Sequence, residues 1–235
     1  MPPKKLSPKR TVTDSQVENK IPGLPDDVAA IRAEISSVFD TLGSDGKKVG
    51  NSKNGVYAFY DYDGEPIYVG QTCESLRQRI GRHLTNQRTD AVAMNVLDPF
   101  EVAEIEMWPL DSLMESVPET ERAQFLNRAE YTVFEKVLGE SAIGAVLNEK
   151  EVLACAEIEL PESIRRKIIP DSIFEQRRHP DIRIARRAST IANLARVISE
   201  RDVSNGLRFT LLTQAQRLER LASMRIKELG IAKRQ

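Results

Sequence analysis

The sequence predicts an α+β fold in which a small three-stranded antiparallel sheet is flanked by helices. Two segments rich in β-branched and aromatic residues, 55–62 and 66–71, are separated by Asp63-Gly64, which is a strong hairpin signal. A third segment, 102–107, alternates apolar and acidic residues, as expected of a strand with one solvated face. Segments with helical periodicity surround these strands, so a mixed fold is expected rather than an all-helical one.

The N-terminal region divides into two parts. Residues 1–25 contain five prolines and five lysines or arginines with few apolar residues, and this composition predicts a disordered basic arm. Residues 26–49 predict a helix followed by a loop. Apolar residues recur at helical spacing from Val28 to Phe39, and Asp26 and Asp27 supply the negative charge that favours a helix N-terminus.

Two helices are predicted within the central region, residues 50–150. Segment 75–84 is amphipathic, and its polar flank carries Arg79 and His83, which are one helical turn apart. Segment 119–138 is a longer amphipathic helix with five residues predicted to point inward, namely Phe125, Leu126, Ala129, Val133 and Val137. A short apolar run, 143–147, then leads to Asn148.

The C-terminal region, residues 151–235, predicts a basic helical module. Segments 182–203 and 206–230 are amphipathic, and Asn205-Gly206 separates them, which favours a helical hairpin or small bundle. The second segment is predicted to carry an apolar side formed by Leu207, Leu211, Ala215, Leu218, Ala222 and Leu229. Apolar seams of this kind more often close a local bundle than pair two chains, so a homodimer through these helices stays an open alternative.

Charge is distributed unevenly along the chain. The net charge is −1, yet residues 161–235 hold 17 Lys and Arg against 8 Asp and Glu, which leaves 17 against 27 in residues 1–160. A basic region beside an acidic one favours a polyanionic partner, although helix arginines can equally be solvated surface residues. The candidate DNA-binding residues are Arg165, Arg166, Lys167, Arg177, Arg178, Arg183, Arg186 and Arg187.

Several classes of protein are not supported by the sequence. There is no apolar run of about 18 residues and no apolar leader after Met1, so we expect a cytoplasmic protein without a membrane anchor. Cys73 and Cys155 cannot form a disulfide framework, and two histidines are too few for a zinc finger. Because no phosphate-binding glycine loop is present, we expect no nucleotide cofactor.

A group of polar residues follows a fixed order in the central region. Two triplets, Gly55-Val56-Tyr57 and Tyr68-Val69-Gly70, fall on the predicted hairpin strands, and Arg79, His83, Glu130 and Asn148 follow. This order resembles the GIY-YIG nuclease superfamily over about residues 54–150. Valine replaces isoleucine in both triplets, which keeps the β-branched chemistry of a strand.

The resemblance implies a role for each of these residues. Glu130 would bind one Mg²⁺ or Mn²⁺ ion per site, since carboxylates suit such ions, which keep several waters. Arg79 would clamp the scissile phosphate, and His83, one helical turn away, could address the same phosphate or one of the tyrosines. Tyr57 and Tyr68 would activate or orient the attacking water, and Asn148 would stiffen the site. Because Arg79 lies eleven residues after Tyr68, one more than expected, Arg77 and Arg82 stay open as alternatives.

The resemblance also implies an activity. We expect a metal-dependent endodeoxyribonuclease, with a site-specific, type II restriction-like enzyme favoured by the size of the chain. The alternatives are a homing or mobile-element nuclease, a repair-type nuclease, or a catalytically idle module that binds DNA through its basic helices.

Overall fold

The computed structural model describes residues 25–84, 96–148 and 152–231. Nearly all of the predicted basic arm, and the predicted boundary at residue 150, lie outside these ranges. The elements in chain order are α1 (Asp26–Phe39), β1 (Gly55–Tyr60), β2 (Pro66–Thr72), α2 (Leu76–Leu84), β3 (Glu104–Pro109), α3 (Asp111–Met114), α4 (Arg122–Glu140), β4 (Ile164–Lys167), α5 (Asp171–Arg178), α6 (Pro180–Glu200) and α7 (Asn205–Glu228). The α+β class is confirmed.

The sheet has four antiparallel strands in the order β2-β1-β3-β4, so the predicted count of three is wrong. β4 has only four residues and three of them are basic, so it carries no alternating pattern that could have revealed it. It pairs with β3 across a long sequence separation. Arg165, Arg166 and Lys167 therefore belong to the sheet rather than to a separate helical module.

The β1-β2 hairpin forms as predicted. Gly64 has φ of +74°, a left-handed conformation that favours glycine in the turn. The register places Tyr57 opposite Gly70 and Phe59 opposite Tyr68. The register is irregular after Phe59, so that Tyr60 pairs with Pro66 next to the turn.

Helices cover both faces of the sheet. One face presents Tyr57, Phe59 and Met107 to a core that includes residues of α1, α2, α6 and α7. The other presents Val56 and Trp108 to α4. The prediction of a solvated face on β3 is therefore wrong. On that covered face Glu106 is 4% exposed and accepts hydrogen bonds from Tyr60 at 2.6 Å, Ser163 at 2.6 Å and Lys136 at 3.1 Å.

A buried ionic cluster joins the hairpin to α6 and α7. Asp61 Oδ2 lies 2.7 Å from Arg217, 2.8 Å from Arg187 and 3.2 Å from Arg183. Glu101 lies 3.0 Å from Arg187. Burial opposes ionisation of Asp61, but the arginines outweigh it and hold the pKa of this carboxyl below its usual range.

The buried side of α7 is more polar than predicted. Ala215 and Leu229 are exposed, whereas the residues that face the protein are Leu207, Thr210, Thr213, Gln214, Arg217 and Leu221. Arg217 donates to the carbonyl of Pro66 at 2.8 Å, and Gln214 donates to that of Val96 at 2.9 Å. The helix is therefore oriented by polar contacts to the hairpin and its surroundings.

Three of the arginines predicted to bind DNA are buried. Arg183 and Arg187 belong to the ionic cluster, and Arg177 donates to Asp27 of α1 at 2.7 Å. Their burial contradicts the prediction that they contact DNA. Arg166, Lys167 and Arg178 are exposed, while Arg165 and Arg186 are half-buried. Among the described helices, none is long and apolar enough to cross a membrane.

Candidate active site

The two glycines of the triplets permit close packing around the hairpin. A Cβ on Gly70 would lie 2.6 Å from the hydroxyl oxygen of Tyr57, closer than any side chain tolerates. A Cβ on Gly55 would lie 2.9 Å from a methyl group of Leu76 on α2. Gly70 therefore leaves room for the hydroxyl of Tyr57 to lie over β2. Gly55 allows α2 to pack closely against β1.

Tyr57 is held between two residues of α2. Its hydroxyl lies 2.9 Å from Nε2 of His83, and it interacts electrostatically with the guanidinium of Arg79. An arginine can only donate, so Arg79 presents its N–H groups toward the phenolic oxygen. The hydroxyl hydrogen can then be donated to Nε2 of His83 when that nitrogen carries no proton. The nearby guanidinium favours negative charge on the phenolic oxygen, and Nε2 of His83 is placed to accept the proton of the hydroxyl.

Among Tyr57, Tyr68, Arg79 and His83, the side chains of Tyr68 and Arg79 are the more exposed. The side chains of Tyr57 and His83 are buried, whereas Tyr68 and Arg79 are half-buried. The ring of Tyr68 lies 6.2 Å from that of Tyr57 and 5.3 Å from that of His83. Partial burial works against the charge of Arg79, but Tyr57 and Tyr68 outweigh it and raise the pKa of this guanidinium.

The structure distinguishes Arg79 from the two alternative arginines. Arg77 forms an ion pair with Asp40, and Arg82 binds Glu74 through two hydrogen bonds of 2.5 and 2.8 Å. Both pairs lie at the surface. Arg79 instead approaches Tyr57, and its buried Nε has no hydrogen-bond partner within the described part of the chain. Of the three arginines, it is the one aimed at the tyrosine cluster.

Glu130 lies on α4, on the other face of the sheet from Tyr57. Its Oε2 accepts a hydrogen bond of 3.0 Å from the side-chain amide of Gln71 on β2. The same amide nitrogen donates to Oδ1 of Asn127 at 2.8 Å. Glu130 is half-buried, so its carboxylate is within reach of solvent beside the edge strand.

Asn148 fastens the chain after α4 to the edge strand. Its Oδ1 accepts from the backbone nitrogen of Val69 at 3.2 Å, and its Nδ2 donates to the carbonyl of Val69 at 3.0 Å. The adjacent Leu147 donates from its backbone to the carbonyl of Ile67 at 2.7 Å. Asn148 thereby supports the Tyr68-Val69-Gly70 triplet directly.

The donor set suits a hard divalent ion. Within the described residues, no group of three or more His, Cys, Asp or Glu side chains could hold a metal. A lone carboxylate such as Glu130 fits Mg²⁺ or Mn²⁺, because Mg²⁺ is commonly bound through one or two carboxylates and retains several waters. Glu130 would hold such an ion.

A cleft of about 560 Å³ runs beside these residues. Arg79 lines it together with four residues that the sequence reasoning missed, Asn54, Gln71, Arg122 and Asn127. The signals for Gln71 and Asn127 are their positions, since Gln71 follows the second triplet directly and Asn127 precedes Glu130 by three residues. Arg122 is exposed at the start of α4 and gives no comparable signal.

Comparison with protein families matches residues 53–125 to the GIY-YIG catalytic domain. This range includes both triplets, Arg79 and His83, whereas Glu130 and Asn148 lie beyond it. Comparisons with curated proteins and with solved structures gave no significant match. The family match and the local geometry therefore rest on the same hairpin and the helix that follows it.

Proposed function

Residues 53–125 belong to the GIY-YIG nuclease superfamily, and we propose that the chain is a divalent-metal-dependent endonuclease that hydrolyses DNA phosphodiester bonds. One observation carries the proposal. The buried hydroxyl of Tyr57 on β1 contacts His83 and interacts with the guanidinium of Arg79, while Gln71 on the neighbouring edge strand β2 donates to Glu130. Phosphodiester hydrolysis needs a proton acceptor, a cation for the phosphate and a site for a metal.

Arg79 would bind the scissile phosphate. Its guanidinium is half-buried and borders the open cleft, so a phosphate entering the cleft can reach it. A planar fork of permanent charge can donate two hydrogen bonds to one phosphate. In the transition state the same donors would stabilise the growing negative charge on the non-bridging oxygens.

The two tyrosines would share the task of handling water. Tyr68 is half-buried and would orient a water beside the phosphate. Tyr57 would receive a proton from that water and pass its own to Nε2 of His83, 2.9 Å away. Because the ordinary pKa of tyrosine is near 10, this transfer needs the support that Arg79 gives to the phenolate.

Glu130 would hold the metal. A bound Mg²⁺ or Mn²⁺ ion would supply Lewis-acid stabilisation of the phosphate and of the departing oxygen. The half-buried position of Glu130 leaves room for the waters that such an ion retains. Asn148 would keep the edge strand in place without contacting the substrate.

The DNA contacts would begin in the cleft. Arg122 and Asn54 border it with Arg79, and they would contact the phosphates next to the scissile one. Arg166, Lys167 and Arg178 remain candidates at the periphery because they are exposed.

Replacing Arg122 by alanine should weaken DNA binding uniformly across sequences. It should also reduce the slope of log affinity against log salt concentration by about one, the contribution of one phosphate contact. The matched control is Arg208→Ala, an exposed arginine on α7.

Plasmid digestion tests the proposed activity. The purified protein should nick or linearise supercoiled plasmid in Mg²⁺ or Mn²⁺ and should be inactive with EDTA. A chain that binds DNA but never cleaves it, with either metal, would be an idle binding module instead. Sequencing the ends separates the specific roles. A recurrent short sequence at the cut supports the restriction-like role that we favour, whereas cuts at lesions or branches support a repair role.

A further inference from the structure

Gln71 contacts the proposed metal ligand directly. One nitrogen of its side chain donates to Oε2 of Glu130 at 3.0 Å and to Oδ1 of Asn127 at 2.8 Å. An amide NH₂ group carries two hydrogens, so both bonds can form at once. We infer that Gln71 is a positioning residue that sets the orientation of the Glu130 carboxylate toward the metal. This inference rests on the proposed function.

A glutamate on a helix surface needs such support to act as a ligand. Its terminal torsion has a broad energy profile, so the plane of the carboxylate is poorly fixed by the side chain itself. A hydrogen bond from a sheet residue fixes one oxygen, and bonds from a neutral donor to a charged acceptor are stronger than neutral ones. Partners of this kind orient metal ligands and tune their affinity.

Glu130 determines which end of the Gln71 amide faces α4, because an ionised carboxylate can only accept. Asn127 and Glu130 are three residues apart, so their side chains lie on one side of the helix. Both present an oxygen to Gln71, and only the nitrogen of the amide can donate to two oxygens. Because an amide nitrogen is not a ligand for Mg²⁺, this end of Gln71 orients Glu130 rather than binding the ion.

The edge strand β2 links the two faces of the site through consecutive residues. Val69 is held by Asn148, Gly70 makes room for the hydroxyl of Tyr57, and Gln71 reaches across to Glu130. Successive residues of a strand point to opposite faces. Gln71 is therefore the residue through which β2 fixes the metal ligand relative to the tyrosine cluster.

The test replaces Gln71 by methionine, which keeps the length of the side chain and removes the donor. Mn²⁺ affinity is measured without DNA, from the electron paramagnetic resonance signal of free Mn²⁺. We expect about 10- to 100-fold weaker binding, the range for partners of metal ligands. With DNA, kcat at fixed metal should fall while KM for DNA stays unchanged. Gln176→Met, at an exposed position on α5, is the matched control and should behave as wild type.

Two results would overturn the inference. One is unchanged Mn²⁺ affinity in a folded Gln71→Met protein, and the other is unchanged metal affinity with weaker DNA binding, which would make Gln71 a substrate contact. If Gln71→Met does not fold, the test uses Asn127→Ala, at an exposed helix position. Weaker Mn²⁺ binding by this variant supports the inference, and unchanged Mn²⁺ binding overturns it. A wild-type protein that neither binds Mn²⁺ nor cleaves DNA would refute the proposed function instead.

Discussion

Replacing Asp61 by asparagine should destabilise the whole fold, because this carboxylate is the common partner of three buried arginines. Asp61 is 2% exposed, and Arg183, Arg187 and Arg217 are 1, 5 and 3% exposed. Asparagine keeps the shape but removes the charge, which leaves three guanidiniums with too little compensation. Breaking a buried ion pair from one side costs about 3–5 kcal/mol. At about 2–4 °C per kcal/mol for a chain of this size, Tm should fall by roughly 6–20 °C.

The assay is thermal unfolding followed by circular dichroism at pH 7, with Asp181→Asn as the matched control. Asp181 binds Arg225 at 3.0 Å, but its side chain is 59% exposed, so the same substitution there should change Tm much less. Equal decreases in Tm for Asp61→Asn and Asp181→Asn would refute the reasoning. They would show that the buried cluster contributes no more than a surface pair.

The pH dependence of folding stability follows from the direction in which the fold shifts the pKa of each buried carboxyl group. The pKa of Asp61 is lowered from 3.8, so its stabilisation is present above that value and is lost as pH falls through the folded pKa. Burial raises the pKa of Glu101, so its stabilisation belongs to the protonated form and is lost as pH rises. The Tm difference between wild type and Asp61→Asn should therefore shrink below about pH 3.8.

The remaining predictions concern the active site. Arg79→Lys should slow cleavage at least ~10²-fold in single-turnover assays, while Arg77→Lys, at a surface ion pair, should leave the rate near wild type. Gly70→Ala should abolish cleavage, because its Cβ displaces the hydroxyl of Tyr57, and a wild-type rate would contradict the packing. Tyr57→Phe and His83→Ala should each lower the rate, and together their effects should be less than additive. Strictly additive losses would indicate separate roles.

Local signals in the sequence were sufficient for the hairpin and for the helices around it. Asp63-Gly64 predicted the turn, and the apolar spacing on either side of Arg79 predicted α2. These elements depend on contacts between residues near each other in the chain. β4 could not be predicted in the same way, because four residues rich in charge become a strand only by pairing with β3.

The buried arginines show a different limit of sequence reasoning. A charged residue is normally exposed, so Arg183 and Arg187 were interpreted as DNA contacts. Their spacing does hold a signal, since they lie four residues apart and in line with Leu194 and Val197 on the buried side of α6. Burial was decided by Asp61, which is distant in sequence and whose pairing no local pattern reveals.

The candidate site was predicted in part. The order of the six residues led to the tyrosine cluster, and the choice between Arg79 and its neighbours was decided by Asp40 and Glu74, which pair with Arg77 and Arg82. Sequence spacing alone does not reveal those surface pairs. Gln71 was missed because a glutamine on a strand has no specific chemistry until the residue that it contacts is known.

The most direct test of the central claim is cleavage of a labelled DNA duplex in Mg²⁺ by wild type and by Glu130→Ala. Removing the carboxylate that we propose as the metal ligand should abolish cleavage, while DNA binding without metal should be retained or tighter, since a negative charge is lost. Glu140→Ala, at an exposed position on the same helix, should cleave as wild type. Cleavage by Glu130→Ala at the wild-type rate, or wild-type cleavage undiminished by EDTA, would contradict the account.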